Sequence, residues 1–276
     1  MKFRSLLRMA LLPLAACAPA APAGVLGVYD PDSFVEGNAE RFAGCHDGRR
    51  FVAGDCTGLA DTLVAGEELP GVDSAGGSAR VRVAQVRPTR ADQYEAAYLA
   101  ELVPSGHASR GPVLFWRPGP PLHALAAAPV VLDSGAMVLL RAEALRLYEA
   151  AEQRRAAGDR AEAVELGTPV ALGVEGEASV VVQWPAQLAY GTERDGRASL
   201  FFVYDPVQRR VVRGLFGHPE WAPVDPALVR AVQPVTFFRL GTDPAVYFLA
   251  REAGPWEHIG FGIYKMSSGR AVLGVP

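Results

Sequence analysis

The chain has 276 residues, is half apolar by composition and carries a formal charge of −3, with 29 glycines and 22 prolines spread along its length as turn punctuation. That profile excludes a low-complexity or disordered polymer and suits one large domain or two small ones, while the acidic balance argues against nucleic acid as a general partner. No Gly-x-Gly-x-x-Gly joins a strand to a helix and no Gly-Lys-Ser/Thr occurs, so nucleotide chemistry through either loop is excluded, and neither a cofactor nor a metal is assigned.

Lys2, Arg4 and Arg8 precede an apolar run over residues 9–16. The run is too short to span a bilayer, which takes about 20 residues, and residues 1–16 read as a secretion signal. The order Leu14-Ala15-Ala16-Cys17 resembles the lipobox of bacterial lipoproteins, a resemblance that covers the first 17 residues only. It implies cleavage before Cys17, acylation of that thiol by palmitate-type chains and anchoring by lipid, each buried methylene contributing about 0.8 kcal/mol. Ala18 stands where an Asp would hold an enteric-type lipoprotein at the inner membrane, so the resemblance implies the outer membrane of a diderm, facing the periplasm.

Residues 17–24 then form a Pro/Ala tether of order 20 Å at about 3.1 Å per residue. Removal of Lys2, Arg4 and Arg8 takes Lys+Arg from 27 to 24 against 30 Asp+Glu, leaving the mature chain at −6. The rival reading is cleavage at Ala21-Pro22-Ala23, which discards Cys17 and yields a soluble secreted protein.

With Cys17 acylated, Cys45 and Cys56 remain as an even pair in an oxidising compartment, and a disulfide between them is expected. Closing a loop of about 12 residues contributes about 3 kcal/mol in the chain-entropy account. The alternative is a metal site that adds His46, Asp47 and Asp55, although the spacing matches no structural zinc pattern.

Residues 79–86 alternate apolar and polar and predict a strand. Thr89 to Asp92 reads as a capping box opening a helix with Tyr94, Ala97, Tyr98 and Leu102 on one face, ended by Pro104 and Gly106. A short strand is expected at 112–116. The connector at 117–121, Arg-Pro-Gly-Pro-Pro, is the boundary between an N-terminal region, 25–121, and a C-terminal one, 122–276.

A hairpin is expected from 129–132 through Asp133-Ser134-Gly135 into 137–140. From Leu140 to about Ala157 the stripe Leu140, Ala144, Leu147, Tyr148 and Ala151 predicts a helix that Gly158 ends, followed by a shorter helix over 159–166. The turn between them resembles that of a tetratricopeptide repeat, but no second copy recurs at the period of about 34, which leaves a helical hairpin.

Strands are expected at 169–174, 179–184, 199–204, 211–216, 235–240, 246–250, 260–264 and 271–275, joined by turn residues and therefore antiparallel. The fold class expected is α+β. A C-terminal antiparallel sheet of about eight strands, curled or sandwich-like, follows segregated helices and a disulfide-stapled N-terminal region.

Four chemistries come into question. Val131-Leu132-Asp133-Ser134-Gly135-Ala136 resembles the aspartic-protease motif, in which paired aspartates activate water, but it occurs once. The apolar-apolar-Gly elements at 171–173, 215–217 and 272–274 are ill-placed to complete it. His218, Glu220 and Trp221, with Trp256, Glu257 and His258, place an imidazole, a carboxylate and an indole in each of two connectors. If those loops meet they could make a metal site of two His and a Glu or a stacking platform for a sugar, and an exposed row of Trp184, Trp221 and Trp256 could bind glycan. No Gly-x-Ser-x-Gly elbow supports serine hydrolysis.

The function expected is that of a non-catalytic binding or assembly module, held to the membrane by lipid and partnered by another envelope protein or by cell-wall glycan. The alternative is an envelope hydrolase acting on peptide or cell-wall glycan through Asp133 or a His218, Glu220, Glu257 and His258 site.

Overall fold

Ala79, Val81 and Val83 are buried while Arg80 and Ala84 stand exposed and Arg82 partly so, and this alternation makes one wall of a ring of strands. In the computed structural model the described residues are 24–29, 39–46, 51–52, 64–86, 98–102, 111–116, 122–153, 160–190, 193–217, 231–253 and 259–273. The ring comprises β1 (Gly24–Tyr29), β2 (Ala39–His46), β4 (Glu68–Asp73), β5 (Ser78–Val86), β6 (Tyr98–Leu102) and β7 (Val113–Trp116), with the short β3 (Phe51–Val52) added on β2. All pairings are antiparallel, and the order β1-β7-β4-β5-β6-β2 closes through β2 and β1.

Inside the ring lie Leu69, Val81, Val83, Val113 and Phe115. β4 and β7 approach closely at Gly71, where an added Cβ would sit 2.8 Å from Val113 Cγ1. On the outer wall Arg82 donates to Glu68 Oε1 at 2.9 Å and holds that carboxyl below its ordinary range.

The rest of the chain runs β8 (Leu122–Leu125), β9 (Ala127–Pro129), helix α1 (Ser134–Glu152), β10 (Ala163–Leu166), β11 (Val170–Val174), β12 (Val180–Tyr190), β13 (Glu193–Asp205) and β14 (Arg210–Gly217). It ends with β15 (Ala231–Leu240), β16 (Tyr247–Ala253), β17 (Ile259–Lys265) and β18 (Arg270–Leu273). Two antiparallel sheets result. The middle sheet is β18-β17-β16-β15-β8, and the outer sheet is β14-β13-β12-β11-β9 with β10 on β12.

Stacking follows from the period of two. On the middle sheet Phe238, Leu240, Leu249 and Ile263 meet Val28, Val72 and Leu114 of the ring's outer wall. Phe237, Phe248, Ala250 and Tyr264 face the other way, onto Val181, Phe201 and Val203 of the outer sheet. The far face of the outer sheet carries Val182, Trp184, Leu200 and Phe202, on which α1 lays Ala136, Leu140 and Ala144. The molecule is thus layered as ring, middle sheet, outer sheet and helix. Gly214 lets the helix close in, since a Cβ there would lie 2.8 Å from Leu147 Cδ1 and 3.1 Å from the Phe202 ring.

This architecture overturns the expected α+β class. The fold is largely β, and among the described residues a single helix lies between β9 and β10 rather than in a segregated helical region. The helix expected from Thr89 fails at its C-terminal end, because Tyr98–Leu102 is β6, paired with both β5 and β2. Residues 87–97 lie outside the described residues. The second helix of the expected hairpin is replaced at 163–166 by β10, which opposes Ala186 to Ala189 on β12. The hairpin through Asp133-Ser134-Gly135 is a helix start instead, and α1 begins six residues ahead of the expected Leu140.

Candidate functional site

Asp133 is the one candidate acid of the sequence reading that falls among the described residues, and its role is set by the backbone around it. Its φ of −70° and ψ of 167° are extended, and Oδ1 accepts from Ala136 N at 2.7 Å, so it caps the first turn of α1. Leu132 before the cap and Met137 one turn in both pack on the helix-side core, the arrangement of a hydrophobic staple.

The other oxygen, Oδ2, faces Arg209 Nη2 at 3.7 Å. Arg209 sits in the β13–β14 turn with φ +49°, a left-handed conformation that lets the chain reverse between Asp205 and Arg210. Asp205 Oδ1 braces the same turn by accepting from Val207 N and Gln208 N, each at 2.9 Å.

The Asp133 and Arg209 pair joins two apolar tips. Val131 is 96% exposed and Val130 37% on the strand side of the cap, Val138 is 70% exposed one turn into the helix, and Val207 is 80% exposed at the hairpin tip. Protruding aliphatic side chains on adjoining loops are the kind of surface that monomeric soluble proteins keep small.

Among the buried carboxylates, Glu252 and Glu152 escaped the sequence reading. Tyr264 Oη donates to Glu252 Oε1 at 2.6 Å between the middle and outer sheets, where Glu252 is 3% exposed. Gly262 leaves the space that this carboxylate occupies. Glu252 shares the face of Phe248 and Ala250, so its even spacing from them along β16 was the available signal. At the end of the helix, Glu152 Oε2 accepts from Ala161 N at 2.8 Å and ties the chain back before β10. On the ring side of the middle sheet, Tyr247 Oη donates to Asp243 Oδ2 at 2.7 Å, and burial together with that carboxylate raises the phenol above its ordinary 10.0.

Trp184 does not belong to an exposed aromatic row. It is 2% exposed and its Nε1 donates to Gly167 O at 2.7 Å, so it is a core residue with its polar atom satisfied. Cys45 lies on β2, opposite Val25 on β1 and Val52 on β3. Cys17, Cys56, His218, Glu220, Trp221, Trp256, Glu257 and His258 lie outside the described residues.

Among the described residues no group of three or more His, Cys, Asp or Glu could hold a metal ion, and no helix is long and apolar enough to cross a membrane. Comparison of the chain with protein-family models, with curated proteins and with solved structures found no match in any of the three.

Proposed function

We propose that this chain is a lipid-anchored protein of the bacterial cell envelope that acts as a non-catalytic binding or assembly module. The anchor rests on Lys2, Arg4 and Arg8, the short apolar run after them, and Cys17 behind Leu14-Ala15-Ala16. The non-catalytic reading rests on the geometry of Asp133. A catalytic aspartate keeps its oxygens for water and substrate, whereas here one oxygen holds the first turn of a helix and the other faces a guanidinium. The acidic residue of a protease-like motif is thereby spent on structure.

Mass spectrometry of the exported protein tests the anchor. The expected product starts at Cys17 with acyl chains attached and partitions into detergent, and Cys17→Ser removes both properties; an N-terminus beyond Cys17 without acyl chains overturns the anchor. Chemical cross-linking in the native envelope tests the module. A defined complex is the expected result, and turnover of peptidoglycan fragments or peptides by the purified acylated protein overturns the non-catalytic reading.

A further inference from the structure

Four hairpin turns share one end of the two stacked sheets. Val180 opens β12 opposite Tyr204 and Asp205 closes β13 opposite Arg210, so the turns at 175–179 and 206–209 leave the outer sheet at that end. The middle sheet turns there at 241–246 and 266–269, where Met266 N donates to Val246 O at 2.9 Å. Two close approaches fix which turn lies against which. A Cβ on Gly269 would sit 2.7 Å from Val203 Cγ2 and 3.1 Å from Arg213 Cβ, so the β17–β18 turn stacks on the β13–β14 hairpin. A Cβ on Gly176 would sit 3.6 Å from Nη2 of Arg239, next to Leu240, so the β11–β12 turn stacks on the β15–β16 hairpin.

Charge divides along the same line. The β13–β14 and β17–β18 hairpins carry Arg210, Arg213, Lys265 and Arg270, beside Arg209, which Asp133 faces. The β11–β12 and β15–β16 turns carry Glu175, Glu177 and Asp243. On the basic half, Asp205 is buried and its Oδ1 is taken by Val207 N and Gln208 N. On the acidic half, Arg239 is half-buried behind Gly176, with His123 opposite it on β8. Among the described residues Arg210, Arg213, Lys265, Arg270, Glu175 and Glu177 make no ion pair or side-chain hydrogen bond, and Arg213 Nε is closed off without a partner. Lys265 and Arg270 stand directly opposite each other across β17 and β18, a like-charge pairing that costs stability in the isolated chain.

An end that is basic along one half and acidic along the other is its own complement. We infer that a second copy of the chain seats here head to head, about a two-fold axis that runs along the boundary between the halves. That axis sets the β13–β14 turn of one copy on the β11–β12 turn of the other, so Arg210 meets Glu175 and Glu177 of the second copy. In the middle sheet it sets Arg270 on Asp243 of the second copy. Val207, 80% exposed at its hairpin tip, adds an apolar contact. Four hairpin ends, at strand and sheet spacings of about 4.8 Å and 10 Å, make a small face, so the association is weak and salt-sensitive. The net charge of −3 on each copy repels at long range, but salt screens it beyond about 8 Å. The inference rests on neither the lipid anchor nor the non-catalytic reading, and its failure leaves both in place.

Sedimentation equilibrium of the full chain in density-matched detergent, at rising concentration, tests the contact. One variant, Arg210→Glu with Arg270→Glu, makes the end acidic throughout; the other, Glu175→Arg with Glu177→Arg, makes it basic throughout. The expected result is a wild-type dimer that weakens with added salt, self-association at least about tenfold weaker in each variant, and recovered dimer when the two variants are mixed in equal amounts. A wild-type chain that stays monomeric overturns the inference. So does self-association of both variants at the wild-type level, or a mixture that stays monomeric. The four positions are exposed or partly exposed turn and strand-end residues, so the variants are expected to keep the wild-type melting midpoint. If one double variant does not, Arg270→Glu mixed with Glu177→Arg carries the test.

Discussion

The middle sheet and the ring solve the same burial problem in different ways. In the ring, β5 alternates Ala79, Val81 and Val83 inward with Arg80 and Arg82 outward, so this strand has one apolar and one wet face, unlike β1, β4 and β7, whose outer residues Val28, Val72 and Leu114 lie under the middle sheet. In the middle sheet, residues 246–250 are all buried, because the ring covers one face and the outer sheet the other. A strand between two layers has no face to give to charge. Its one buried carboxylate, Glu252, is met by the Tyr264 hydroxyl, whereas Glu68 on the ring wall is met by arginines that remain largely in water.

The largest test of this contrast is Phe248→Ala. Phe248 is fully buried and its ring lies 5.3 Å from Tyr264, 5.6 Å from Phe237 and 5.8 Å from Phe201, so truncation opens a cavity between two sheets. A loss of about 3–5 kcal/mol in denaturant unfolding is expected. A loss under about 1 kcal/mol would break the picture of a tightly closed interface.

Tyr264→Phe removes the donor to Glu252 while keeping the ring, and the cost of weakening the solvation of a buried carboxylate is about 1–3 kcal/mol. Tyr264→Phe combined with Glu252→Leu is expected to recover part of that loss, which a double-mutant cycle measures. Asp133→Ala removes the helix cap, with an expected cost of about 1 kcal/mol read as a lower melting midpoint, while Asp133→Ser keeps most of the stability.

A smaller effect is confined to alkaline solution. Because Tyr247 keeps its proton in the folded protein above its ordinary 10.0, the unfolded chain binds fewer protons there, and stability falls as pH rises past that value. Tyr247→Phe is expected to flatten that part of a melting-against-pH curve. Smallest of all is Arg82→Ala on the ring wall, expected to change stability by less than about 1 kcal/mol. A larger loss would mean that the wall at β5 is not the wet surface described.

The parts of this fold legible in the sequence are those whose pattern is redundant. Residues 79–86 alternate over a whole strand, and Leu140, Ala144, Leu147 and Tyr148 repeat at helical spacing over several turns. The runs around 201–204 and 246–250 are apolar, β-branched or aromatic throughout, and turn residues bound them.

Tyr98–Leu102 and Ala163–Leu166 are four or five residues long, and so short a stretch satisfies both periods; their neighbours β5, β2 and β12 decide it, and a sequence does not display neighbours. Asp133 was legible as a special position but not as a helix start. The short acceptor that favours a turn is the same one that caps a helix, and the core beneath Leu132 and Met137 makes the choice. Ring closure was not legible at all, since it depends on β1 finding both β2 and β7. Of the candidate ligand groups, Asp133, Trp184, Cys45 and His46 lie among the described residues, and Asp133 and Trp184 are occupied in structural roles.

One contact reaches across the stack with a large separation in the chain: Thr236 Oγ1 donates to Asp73 O, 163 residues earlier. During synthesis, when the N-terminal residues emerge first at about 5–20 residues per second, the ring can close long before its covering layer exists. Until β15, β16 and β17 arrive, Val28, Val72 and Leu114 are a bare oily wall on a newborn barrel. A truncation near the C-terminus would therefore uncover the wall of the part of the chain made earliest.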